Sequence, residues 1–209
     1  DPENQIPWKE EFSTDKLKHP YADSKIMIEN ILKSICNINK KWKIGMLRYF
    51  NPIGAHSSGL IGEFNINKNT NLMPNINKTF LGCQNSLYVY GNDFQTKDGT
   101  GVRDYIHIED LISGHLRARD FIQNKNGIFI WNLGAGKGYS VLEIIEKCST
   151  IYGKKINYKI VDRRPGDLGE YWADIRKSEK ELNWKPKRNL DRMITDTYKF
   201  IIKSKNNLF

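Results

Sequence analysis

The chain has 209 residues, 39% hydrophobic and 27% charged, with a net charge of +9. This is enough to bury a core as one large domain or two small ones, and no apolar run approaches the roughly 18 residues of a membrane span. The lysines are spread along the chain with no basic arm, which argues against a nucleic-acid partner and leaves a positive field that attracts anionic substrates.

Residues 1–18 read as loop. They open without a signal peptide's apolar core or an initiator Met, as expected of a portion of a longer protein. Pro20 suits a first helical turn. Ile28, Ile31, Leu32 and Ile35 then recur at helical spacing, which predicts a helix to about residue 36 with Tyr21, Lys25, Ile28 and Leu32 on its inward side. Residues 43–50 predict a strand stopped by Asn51 and Pro52. Residues 55–86 predict a loop region holding one short helix. A short strand at 87–90 is closed by Gly91 and Asn92. A polar loop spans 93–100, Arg103 sits in the Gly-containing loop at 101–104 that follows, and a helix spans 108–123. After a strand at 128–133, Ser140 and Glu143 form a capping box for a helix that Gly153 closes. A strand at 156–161, a loop at 163–171 and helices near 175–182 and 190–203 complete the chain. Helices alternating with strands predict an α/β fold with a largely parallel sheet.

Cys36, Cys83 and Cys148 lack any C-x-x-C spacing and read as reduced thiols of a cytoplasmic protein. His19, His56, His107 and His115 show neither metal-ligand spacing nor a nucleophile partner, so no metal is expected. The run GAGKG at 134–138 has the wrong spacing for a dinucleotide loop and reads as a tight strand-to-helix connection.

Tyr21 and Lys25, four apart on one helix, meet on a common face. They are either an interfacial Tyr beside a snorkelling Lys or a phenol paired with an ammonium as a base. The second reading has a demand attached. A free phenol titrates near about 10 and a base must work near about 7, a difference of about 4 kcal/mol. Arg103 and Arg164 sit in Gly-containing segments and offer planar forks for phosphate oxygens, or surface ion pairs. Asp167 suits ribose hydroxyls, or caps a turn.

Taken in order, these residues resemble the UDP-glucose 4-epimerases of the extended short-chain dehydrogenase/reductase family. The resemblance rests on PYxxSK at 20–25, LRYFNPIGAH at 47–56, NLMP at 71–74, YGND at 90–93, DGTGVRDYIH at 98–107, NLG at 132–134, RRPGD at 163–167 and YWAD at 171–174. It implies an isomerase of carbohydrate and galactose metabolism that interconverts UDP-glucose and UDP-galactose by transient oxidation at C4 with NAD. Tyr21 and Lys25 would be catalytic and, with Phe50, would border the cofactor. Asn51, Asn71, Leu72, Tyr88, Tyr90, Arg103, Arg164 and Asp167 would hold UDP. Tyr171 would border the sugar and disfavour N-acetylated hexoses. The resemblance also implies a homodimer.

The chain departs from the family in lacking the G-x-x-G-x-x-G loop and the amino-terminal NAD-binding half. The expectation is therefore the carboxyl-terminal part of a Rossmann-like domain plus a smaller α/β substrate lobe. Residues 1–54 would be the Rossmann remnant and 55–209 mainly the UDP-sugar lobe, with 101–135 returning to the Rossmann domain. Alone, such a piece is expected to be inactive. The alternatives are a catalytically silent UDP-sugar-binding lobe or a related UDP-sugar epimerase or decarboxylase.

Overall fold

A computed structural model of the chain describes residues 6–12, 20–63 and 71–204. The loops expected over 1–18 and 55–86 therefore fall in part outside the described residues, as does His19. Helix α1 (Pro20–Ile38) begins on its proline and carries Asp23 in the first turn, where the helix dipole favours an acid. It lies against two parallel strands, β1 (Lys43–Tyr49) and β5 (Gly127–Leu133), paired from Lys43↔Gly127 to Tyr49↔Leu133. Its inward side differs from expectation. Tyr21, Lys25 and Ile28 are exposed and only Leu32 is half-buried, because the packed stripe runs through Ile26, Glu29 and Leu32 to the buried Cys36. Glu29 is gripped there by the Nε and Nη2 donors of the Arg48 guanidinium, at 2.8 and 2.7 Å.

The chain does not stop at Asn51 and Pro52 as predicted. Phe50 donates its N–H to Leu133, and β2 (Asn51–Ile53) then leaves β5 and pairs in parallel with β4 (Val102–His107). Pro52 is tolerated because β2 is an edge strand, where a missing N–H costs no ladder bond. Strand β4 occupies a stretch whose first residues the sequence predicts as loop. It is the hub of its sheet, paired with β2, with β6 (Gly138–Ser140) antiparallel and with β8 (Glu170–Tyr171) parallel. Arg103 therefore stands on a strand, not in a loop.

Two cores form around this arrangement. The larger packs α2 (Leu72–Leu81), α4 (Val141–Tyr152) and α6 (Leu190–Ser204) with β3 (Leu87–Tyr90) through Ile76, Val89, Ile144 and Ile194. The alternation of β3 is clear: Leu87 and Val89 are buried while Tyr88 and Tyr90 face outward. Strand β7 (Tyr158–Val161) pairs with it in parallel. The second core joins α3 (Ile108–Gln123) and β5 through Leu111, Trp131 and Leu133, with Leu182 of α5 (Arg176–Leu182) and Trp184 closing it. The Ser140–Glu143 capping box and the left-handed Gly153 terminate α4 as the sequence predicts. His107 caps α3: its Nδ1 accepts the Glu109 N–H, so Nε2 carries the proton and donates to Asp196.

Candidate active site

A cleft of about 1250 Å³ opens where β1 and β2 change partners and β3 ends. Crevices beyond the carboxyl ends of diverging strands are the usual ligand sites of such sheets. Tyr21 overlooks this cleft from α1, and Phe50 and Asn51 stand at the fork itself. Asn71 and Leu72 enter from the start of α2, and Tyr88 and Tyr90 from the outward side of β3. Arg103, Arg164 and Asp167 complete the set. Lys25 and Tyr171 are not among the lining residues but touch those that are. The Lys25 ammonium lies 5.2 Å from the centre of the Tyr21 ring. Tyr171 packs on Phe50 at 6.1 Å between ring centres, with the Arg103 guanidinium 4.6 Å above it. Burial raises the Tyr171 phenol pKa, and the Arg103 charge opposes it.

Arg164 and Asp167 owe their proximity to one turn. The Asp167 N–H donates to the Arg164 carbonyl at 3.2 Å, with Pro165 second and Gly166 third at φ 83°. Proline followed by a left-handed glycine is the signature of a type II turn. The turn delivers a cation and a carboxylate together to the cleft, with Arg164 stacked 3.8 Å from the centre of the Tyr90 ring. The neighbouring Arg163 serves differently. It pairs with Asp93 and lies 4.0 Å from the Phe94 ring, bracing the loop after β3.

Arg103 also holds protein. Its Nη atoms donate to the carbonyls of Val102, Leu168 and Gly169 at 2.9, 2.8 and 3.2 Å. It thus ties β4 to the loop that carries Asp167. Asp104, next along β4, is fully buried and accepts N–H groups from Ala135, Gly136 and Ala173 at 2.7, 3.0 and 3.1 Å. Burial pushes its carboxyl pKa up to about 6 against those hydrogen bonds. The glycine-rich connection at 134–138 therefore does cradle an anion, but an internal one.

The donor set decides which part of a dinucleotide this chain suits. A phenol, an ammonium and the Phe50 ring suit a nicotinamide and its ribose. The backbone amides of Ala135 and Gly136, which would suit a pyrophosphate, are taken by Asp104. Among the described residues, no three His, Cys, Asp or Glu side chains group as metal ligands, and no helix is long and apolar enough to cross a membrane. The three cysteines are unpaired; Cys36 and Cys148 are buried and Cys83 is exposed.

Sequence reasoning missed Tyr105 and Glu109, which also line the cleft. Burial pushes the Tyr105 phenol well up. Glu109 is held below the usual carboxylate range by the Ser57 N–H and the Arg188 charge. Both lie in or beside the DGTGVRDYIH run, whose strand character was the unread signal.

The family model described as GDP-mannose 4,6 dehydratase matches residues 3–197. The chain belongs to that family. It is 47% identical over 197 residues to the UDP-glucose 4-epimerase of Drosophila melanogaster and 43% identical over 195 residues to that of Homo sapiens. Each alignment covers 93% of this chain and 56% of the relative, so the chain spans little over half the length of these curated relatives. Its backbone superposes with a TM-score of 0.93 on a crystal structure of the Bifidobacterium longum UDP-glucose 4-epimerase in complex with NAD+ and UDP. That match has 43% identity and covers 98% of this chain and 61% of the other. The α/β architecture with parallel strands is thus that of the Rossmann-like epimerase fold.

Proposed function

We propose that the protein to which this chain belongs interconverts UDP-glucose and UDP-galactose in galactose metabolism, in the cytoplasm, by transient oxidation at sugar C4. One observation carries this reading: a single cleft is overlooked by Tyr21 at one side and lined by the Arg164–Asp167 turn at another, in a chain 47% identical to such an epimerase. NAD, when bound, supplies a hydride acceptor and donor for carbon 4. Tyr21 takes the proton from the C4 hydroxyl and returns it, with the Lys25 charge beside it. Phe50 offers a flat apolar wall to the nicotinamide. Arg103 and Arg164 neutralise the diphosphate, and Asp167 accepts from ribose hydroxyls. Asn51, Asn71, Leu72, Tyr88 and Tyr90 hold the rest of the nucleotide. A firmly held nucleotide and a loosely held hexose let the sugar turn over and present its other face without leaving.

The same reading assigns residues 1–54 to the cofactor domain and 55–209 mainly to the substrate lobe, with 101–135 returning to the former. The pairing of β1 with β5 supports that return. A second reading, a silent UDP-sugar-binding lobe, is favoured by the exposure of Tyr21, 68%, beside a more fully built nucleotide end. Calorimetry on the 209-residue chain, combined with a turnover assay, tests both. We expect UDP to bind, NAD alone not to bind stoichiometrically, and UDP-galactose conversion by this chain to be absent. In a catalytically active enzyme bearing these residues, Tyr21→Phe lowers turnover by about a hundredfold or more while UDP affinity stays, as loss of a general base does. Unchanged turnover in that variant eliminates the epimerase mechanism, and absence of UDP binding eliminates both readings.

A further inference from the structure

The segment at 6–12 precedes α1 in sequence yet docks against residues 172–174 and the end of β5. The Trp8 N–H donates to the Trp172 carbonyl at 2.8 Å, and the Trp8 carbonyl accepts from the Asp174 N–H and from Asn132 Nδ2, each at 2.8 Å. Two residues on, the Glu10 carboxylate accepts the Asn132 N–H at 2.7 Å and its carbonyl accepts from Arg48. Trp8 and Ala173 form a parallel bridge. These bonds fix the backbone of Trp8 beside β8, and its indole stacks on Tyr171 with ring centres 5.0 Å apart and planes 21° apart. Tyr171 thus has an indole and a guanidinium within 5 Å and the Phe50 ring at 6.1 Å. Its own backbone is held by pairing with Arg103. A tyrosine ring with an open face swings between rotamers; this one is clamped.

We infer that Trp8 is a specificity-determining positioning residue. It holds the Tyr171 ring in one rotamer against Phe50, which lines the cleft, and so fixes the aromatic wall behind the place where the hexose would sit, disfavouring sugars with a bulky substituent such as an N-acetyl group. The inference rests on the proposed UDP-hexose reading of this cleft. Trp8 acts only through Tyr171, so its loss relaxes discrimination and leaves the grip on the nucleotide unchanged.

The test is calorimetric titration of the chain with UDP, UDP-glucose and UDP-N-acetylglucosamine, in the wild type and in Trp8→Ala, Trp8→Leu, Trp8→Phe and Tyr171→Ala. The wild type binds UDP-glucose more tightly than the N-acetylated sugar. Trp8→Ala and Trp8→Leu narrow that ratio by about fivefold to tenfold, the scale of one aromatic stacking contact. Trp8→Phe, which preserves a stacking ring, keeps the wild-type ratio. Affinity for UDP itself stays constant across the three Trp8 variants, a constancy that a collapsed fold would not preserve. If Tyr171→Ala narrows the ratio while Trp8→Ala and Trp8→Leu, still binding UDP, do not, Trp8 has no such role and the UDP-hexose reading stands. If Tyr171→Ala leaves the ratio unchanged, Tyr171 does not border the sugar, and the reading on which the inference rests falls with it.

Discussion

Asp104 shows how a single buried side chain ties distant segments around this site together. Its carboxylate gathers three amides, two from the connection after β5 and one beside β8, and so joins the two segments on which Tyr171 and the NLG run depend. Because burial raises its pKa to about 6, the folded protein binds a proton more readily than the unfolded chain between about pH 4 and pH 6. Its contribution to stability is therefore greatest below pH 4 and declines as pH rises through 6, by at most about 3 kcal/mol. Urea denaturation of wild type and Asp104→Asn across pH 4–8 checks this. The difference between the two should change in that window, and a difference independent of pH refutes it. Sequence spacing exposed Tyr21 and Lys25, because two residues four apart on a helix announce their own geometry. Asp104 was invisible, because its partners are backbone amides 31, 32 and 69 residues away.

The same distinction holds for elements. Strand β3 and helices α3, α4 and α6 were legible because each has its own periodicity or caps. Strand β4 was not. VRDYIH breaks the apolar–polar alternation because Asp104 and His107 are buried polar residues satisfied by distant partners. Strand β2 was hidden by Pro52, which reads as a stop until its edge position is known. One consequence concerns Gly134. A Cβ there would lie 2.5 Å from an Asp104 carboxylate oxygen and 2.6 Å from the Ala173 Cβ, closer than packed atoms tolerate. Gly134→Ala should destabilise the fold by about 1–3 kcal/mol, the usual cost of overpacking. Thermal melts should show it, and an unchanged melting temperature refutes it. Gly153→Ala makes a contrast: its Cβ would meet nothing, so its cost comes only from the positive φ of 64°.

At the scale of the molecule, α1 presents Met27, Ile28, Ile31 and Ile38 to solvent, at 50 to 89% exposure. Isolated exposed apolar residues are ordinary, but four on one helix make a surface that water disfavours. The homodimer that we propose from the resemblance would cover part of it. Sedimentation should give a species of twice the chain mass that Ile31→Lys returns to monomer, and a wild type monomeric at all concentrations excludes that assembly. Fold class was legible at this scale because strands and helices alternate. The position of α1 was not, because the stripe that packs is set by the Glu29–Arg48 fork and not by the apolar residues alone.

The strand that changes neighbours at Phe50 acts as a ruler. A single peptide separates the residue beside Leu133 from the first residue beside Tyr105, with no hinge between them. The spacing between the Tyr49 end of β1 and β2 is therefore dictated by covalent geometry. One residue added between Phe50 and Asn51 would turn every following side chain of β2 to the opposite side and separate the residues that the cleft now brings together.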